Sequence, residues 1–357
     1  MRVRFLLPRV AAVCLAMVSL GPAAAAQQRP PHPLEALSSS EYRAVARVLR
    51  ASGRTDSTTA FVEVQLHEPN KAAVLAWRPG ERVPREALAV LRHGGATIEA
   101  VVDVVAERLV SWREVEGAHA GITFAEYERA GELMKNHPDV RAALARRGIT
   151  DLSTVSCWAG PSGYYARPEQ LGGRRILRGG CTVEGEGYNS WGRGVEGLVV
   201  TLDIESEEVL GVIDHGPTAR SARNDDFDPE AVGSLREPLA PIQILQPLGP
   251  GFTRDGGMVE WGSWRFHLRV DPRIGVVLST VGVVSGDAVR PVLYQGSLSE
   301  IFVPYQDSTT GWYERVFIDA GEYAVGGLAE ALEPGVDCPD YAVYVDGVVA
   351  GPDGFPV

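Results

Sequence analysis

The chain has 357 residues, 45% of them hydrophobic, and a formal net charge of −12 at pH 7. This length sets an expectation of two or three domains. The acidic balance has the wrong sign for binding nucleic acid or an anionic lipid surface, and it suits the approach of cationic small molecules.

Residues 1–26 begin with Arg2, Arg4 and Arg9, continue as an apolar run, and end on Ala24-Ala25-Ala26. That pattern reads as a secretory signal peptide cleaved after Ala26. Pro8 and Pro22 bracket a run too short to span a bilayer, and Val13 is too large for the position before a lipidated cysteine at Cys14. Cleavage removes three arginines and no acid, so the mature chain is more acidic still. It is expected to be secreted or periplasmic, with no membrane attachment once the signal is gone.

After a Pro-rich leader, QQRPPHP, a small α+β domain is expected over residues 31–116. Ser38 with Glu41 forms a capping-box pattern that predicts a helix from about Ser39, with Val45, Val48 and Leu49 on its apolar face and Gly53 at its end. FVEVQL and AAVLAW read as strands joined by a turn at Glu68-Pro69-Asn70-Lys71, and ATIEAVVDVV and RLVSWREV as two more.

The pattern recurs over residues 120–222. Thr123 and Glu126 make a second capping box, with Phe124, Tyr127, Leu133 and Met134 assigned to one helical face. Pro138 ends that helix and starts another, which Gly148 terminates. Strands are expected at TVSCW, RRILRGGCTV and GLVVTLDI. Residues 223–257 read as a linker, within a loop-like stretch over 216–257. From residue 258 to 357 the chain is strand and turn: WRFHLRV, GVVLSTVGVV, RPVLYQG, SEIFVPY and YAVYVDGVVAG, with turn signals at β-sandwich spacing.

Three cysteines remain after signal cleavage. Cys157 and Cys181 lie on successive strand-like segments, where export permits a disulfide, and Cys338 is left over. Gly192, Gly194 and Gly197 match a dinucleotide-type glycine pattern, but they precede a strand instead of opening a helix, so they read as a turn. Asp225, Asp226 and Asp228 lack the spacing of a calcium loop and read as a solvated linker. The seven histidines are scattered, and His267 alternates with Phe266 and Leu268, which suits a hydrogen-bonded sheet histidine. Asp319 stands in the apolar run VFIDAGEY, a setting that disfavours its ionised form and suits proton abstraction from carbon. Spacing alone favours a turn aspartate before Ala320-Gly321.

Several segments, in order, carry a resemblance to the copper-containing primary amine oxidases, which build topaquinone from one of their own tyrosines. They are Trp264-Arg265-Phe266-His267, Asp271 with Arg273 and Gly275, Val277-Leu278, Arg290-Pro291-Val292-Leu293-Tyr294, Gly296-Ser297-Leu298-Ser299-Glu300, Val303-Pro304-Tyr305, Asp319-Ala320-Gly321-Glu322-Tyr323 and Asp337-Cys338-Pro339. Upstream, Arg175-Ile176-Leu177-Arg178 and Val195-Glu196-Gly197-Leu198 resemble the second small domain of that family. The resemblance implies an α+β chain. Two small helix-plus-antiparallel-sheet domains, cystatin-like, precede the first part of a large β-sandwich. It also implies oxidative deamination of primary amines by O2 to aldehyde, ammonia and hydrogen peroxide, with copper and topaquinone as cofactors and a homodimeric assembly. By resemblance Asp319 is the base that takes the substrate α-proton, Tyr305 hydrogen-bonds a quinone oxygen, Phe317 is the channel gate, Ile318 lines the channel, and Cys338 is half of a disulfide whose partner lies past residue 357.

The sequence has neither the Asn-Tyr-Asp/Glu segment that supplies the quinone nor the His-x-His pair that holds copper; Tyr188 precedes Asn189 in the reverse order. The expectation is therefore the N-terminal portion of an amine oxidase, inactive alone, because the cofactor carries the difficult chemistry. The alternatives are a secreted, non-catalytic binding module and the N-terminal half of a split enzyme.

Overall fold

A computed structural model describes residues 30–162, 168, 173–183, 189, 193–218, 226–227, 229–240, 246–309, 312–313, 316–318, 320–321, 324, 326, 329–339 and 341–357. The signal segment, Tyr188, Asp225, Asp228 and Asp319 lie outside the described residues.

The first unit is one helix on a four-stranded antiparallel meander. Helix α1 (Ser39–Ala51) starts at the Ser38–Glu41 capping box and buries Tyr42, Val45, Val48 and Leu49. Strands β1 (Ala60–His67), β2 (Glu86–His93), β3 (Ala96–Asp103) and β4 (Arg108–Glu114) pair in chain order. Their alternating inward residues, including Val64, Ala89, Leu91, Ala100 and Val102, close on α1. Arg85, 6% exposed, ties the leader to the helix by donating to the Glu35 and Ala36 carbonyls and to the Glu41 carboxylate.

One expected strand is a helix. AAVLAW forms α2 (Lys71–Ala76), because the Asn70 side chain accepts the Ala73 N–H and caps a run of helix-forming residues. The strand that pairs with β1 is β2 instead.

The second unit repeats the plan. Helices α3 (Phe124–Asn136) and α4 (Pro138–Arg146) lie on β5 (Val155–Pro161), β6 (Ile176–Val183), β7 (Leu198–Asp203) and β8 (Glu208–Asp214), again paired in chain order. The Thr123–Glu126 capping box forms, and Pro138 starts α4 at its first turn. Phe124 does not join Tyr127 and Met134 in the core; it is 59% exposed, since as the first helical residue it points off the end of the packed face. Asp226 is not solvated: its carboxylate pairs with Arg193 and accepts the Asn189 N–H, and its side chain is 5% exposed. Arg92 of β2 and Arg175, 3% exposed, both grip Glu126 and so join the two units. Burial opposes ionisation of Glu126, but the hydrogen bonds from Arg175 and Thr123 outweigh it and hold the carboxyl below its usual range.

After the short helix α5 (Pro229–Val232) comes a five-stranded antiparallel sheet: β9 (Phe252–Asp255), β10 (Met258–Trp261), β11 (Trp264–Asp271), β12 (Gly275–Ser285) and β13 (Ala288–Ser297). β9 falls in the stretch expected to be loop and pairs with β10. A two-stranded hairpin, β14 (Phe302–Pro304) and β15 (Val316–Ile318), follows. YAVYVDGVVAG forms no ladder. Its Val348 and Ala350 pack on the first unit's core instead, and the Phe61 N–H donates to the Pro352 carbonyl.

The first unit lies on one face of this sheet, along β11. His267, Arg269 and Asp271 alternate on that strand and are 0%, 4% and 4% exposed. His267 Nε2 is 3.2 Å from Glu35 Oε2, and Arg269 pairs with Glu68, which also accepts 2.7 Å from Gln295. His267 is therefore the hydrogen-bonded sheet histidine the alternation suggested. Among the described residues no helix is long and apolar enough to cross a membrane.

Candidate active site

GSLSEIFVPY and FIDAGEY meet in the β14–β15 hairpin. Phe302 stands opposite Ile318, Val303 opposite Phe317 and Pro304 opposite Val316. Pro304 has no N–H to give, so the strand ends there and Tyr305 leaves the ladder. Tyr305 is 51% exposed, with its ring centroid 5.1 Å from that of Trp312. Ile318 and Phe302 form a cross-strand apolar pair open to solvent. Phe317 is placed by its backbone pairing with Val303.

Both neighbours of Asp319 are fixed. Ile318 is in the ladder, and Ala320 is 1% exposed and donates its N–H to Glu300 Oε1 at 2.8 Å. The same oxygen accepts from Gly321 at 3.4 Å and Ile301 at 3.0 Å. In the sequence Glu300 stands out only as the end of the GSLSE motif, and its bonds to the main chain appear with the fold. The available signal was a carboxylate standing just before a short β-prone run; its partner lies 20 residues on. Gly326 lies against the β11–β12 turn: a Cβ there would fall 2.2 Å from the Asp271 carbonyl, so only glycine fits.

The other site residues fall apart in space by type. Cys157 and Cys181 are directly opposite on β5 and β6 and form the expected disulfide. Cys338 is a free thiol in a turn, partly buried.

Three family models match in chain order: the copper amine oxidase N2 domain at residues 32–115, the N3 domain at 125–229 and the enzyme domain at 253–357. The chain belongs to the copper amine oxidase family. The primary amine oxidase of Klebsiella aerogenes is 32% identical over 339 residues, covering 92% of this chain and 44% of that protein. The copper-containing amine oxidase gamma 1 of Arabidopsis thaliana is 33% identical over 343 residues, covering 92% of this chain and 47% of that one. The chain thus spans about half the length of the curated relatives it matches. The fold is that of the copper-containing benzylamine oxidase of Hansenula polymorpha, with a TM-score of 0.76 at 19% identity, over 92% of this chain and 54% of that one.

A copper amine oxidase implies copper and topaquinone, and the described residues do not fit copper. Among them no group of three or more His, Cys, Asp or Glu converges as ligands. The two imidazoles that do meet, His32 and His267, stack face to face with centroids 4.2 Å apart. His32 Nδ1 accepts the Leu34 N–H, and His267 Nε2 is turned to Glu35, so their nitrogens do not converge on one point. Burial, with His267 beside it, depresses His32 to about 4, against a smaller opposing pull from Glu35.

Proposed function

We propose that this chain supplies the amine-facing wall of a primary amine oxidase, a secreted or periplasmic copper and topaquinone enzyme that turns primary amines and O2 into aldehyde, ammonia and hydrogen peroxide. The observation that carries the reading is the β14–β15 hairpin. It sets the strand that leads into Tyr305 beside the strand that holds Phe317 and Ile318, within the segment matched to the family's enzyme domain. In this reading Asp319 is the carboxylate base, Tyr305 offers a hydroxyl to the quinone, Phe317 is the gate, and Ile318 gives the amine an apolar approach. The Cys157–Cys181 disulfide supports export to an oxidising compartment. Homodimer formation belongs to the same proposal. In the same reading, amine oxidation needs a quinone tyrosine and copper histidines beyond the motifs this sequence carries, so the polypeptide by itself is expected to be inactive.

The test is a chimera in which residues 30–357 replace the matching segment of the Klebsiella aerogenes enzyme. Peroxide release from a primary amine is expected in the chimera, with a loss of about 10²-fold or more in kcat for Asp319→Asn. A folded, copper-loaded chimera whose Asp319→Asn form is as active as its parent would overturn the base assignment.

A further inference from the structure

We infer that Glu300 is a positioning residue: its carboxylate clamps the main chain at Ala320 and Gly321, the residues that directly follow the proposed base in sequence. The inference rests on the amine oxidase reading for its functional meaning and on the hairpin for its geometry. Asp319 is bracketed by two residues that are held in different ways. On the N-terminal side, Ile318 is pinned by pairing with Phe302. On the C-terminal side, Ala320 is pinned by its N–H bond to Glu300 Oε1 at 2.8 Å, with Gly321 adding a longer one at 3.4 Å. Glu300 and Phe302 lie two residues apart, so a single short segment grips both sides of the proposed base.

The chemistry of the clamp favours a carboxylate. One oxygen faces three backbone N–H groups, from Ile301, Ala320 and Gly321, and a charged acceptor makes such bonds stronger than a neutral one does. The buried Ala320 side chain leaves that residue little room to move, so its N–H direction is set by packing as well as by the bond. Gly321 is part of the fit: a Cβ there would come within 3.2 Å of both Glu300 Oε2 and Ile318 Cγ2. A base must be held close to its working position, because a displacement of about 1 Å can cost on the order of 10²-fold in rate. Both sequence neighbours of Asp319 are therefore anchored, Ile318 in the ladder and Ala320 at Glu300.

The experiment measures amide hydrogen exchange on the chain itself, without cofactor, in Glu300→Ala and Glu300→Gln. Glu300→Ala is expected to speed exchange at Ala320 and Gly321 by about tenfold or more, the loss that fits a hydrogen bond to a charged group. Protection in β1–β4 is expected to stay unchanged. Glu300→Gln keeps an acceptor oxygen in place and is expected to retain most of the protection. Equal exchange at Ala320 in Glu300→Ala and the parent chain overturns the inference. If Glu300→Ala does not fold, unprotected Ala320 and Gly321 amides in Glu300→Gln overturn it. In the chimera, Glu300→Ala is expected to lower kcat by about tenfold or more with KM for the amine unchanged, and Glu300→Gln to recover much of it. Exchange results as expected, together with an Asp319→Asn chimera that stays active, would leave the clamp standing and remove the base assignment.

Discussion

The two faces of the β11–β12 ribbon differ in chemistry, and the one that carries the charged side chains, with Val277 among them, is the more buried. His267, Arg269, Asp271 and Ser279 face the first unit and are essentially buried. Leu268, Val270 and Leu278, on the other face, are only partly buried, and Val276 is 55% exposed. The polar face tolerates burial because carboxylates of the first unit are waiting for it: Glu35 at His267 and Glu68 at Arg269. Charge pairing at His267 and Arg269 accompanies the burial of this face, and Val277, opposite Arg269 and fully buried, adds apolar packing to it.

The largest test of that contrast is Arg269→Ala. It strands Glu68 and the 4%-exposed Asp271 without their cation, and is expected to cost about 3–5 kcal/mol in chemical denaturation. Leu268→Ala on the opposite face is expected to cost about 1 kcal/mol, in keeping with its partial burial. If the order reverses, the apolar face is the one that holds the sheet in place.

A second test uses pH. Glu63 also faces this junction, and burial raises it to about 7, with Asp271 adding to the shift and Arg273 opposing it. Its folded value lies above the unfolded one, so the stability it contributes is present below about 4.5 and is lost as pH rises through about 7. Glu63→Gln is therefore expected to be more stable than the parent by on the order of 2 kcal/mol at pH 8, with the gap closing toward pH 4.

His32 acts with the opposite sign. Its folded value, about 4, lies below the unfolded 6.5, so its contribution is complete above 6.5 and is lost as pH falls toward 4. His32→Phe keeps a ring against His267 and is expected to remove about 1–2 kcal/mol of that acid loss, read as a flatter acid limb in thermal melts. The smallest effect is expected on the apolar face. Val276→Lys is expected to change stability by no more than about 0.5 kcal/mol, while reducing binding of a hydrophobic dye to the sheet.

Local patterns were legible in the sequence, and distant pairings were not. Both capping boxes form, since a cap depends on residues three apart. The six-residue run AAVLAW reads as a strand by its apolar composition, yet it is helix, capped by the Asn70 side chain that accepts the Ala73 N–H. YAVYVDGVVAG has strand composition, yet it is used as packing against the first unit. The alternation on β11 announced two faces but not which one would be covered, because the covering Glu35 is 232 residues from His267. At the candidate site, the hairpin strands were visible as β-prone runs. The role of Glu300 was not, since a carboxylate that binds backbone N–H groups leaves no residue-type signature in its partner.

The contact between residues 352–355 and the first unit has a consequence for biosynthesis. Phe61, on the outer strand of that unit's sheet, donates its N–H to Pro352, and Arg50 donates to the Asp353 carbonyl across a separation of 303 residues while stacking on Phe355. At about 5–20 residues per second, the ribosome needs on the order of 15–60 s between making the strand and making its cover. During that interval an open strand edge is exposed to other nascent chains, and protection of Phe61 is expected only after Pro352 has been made.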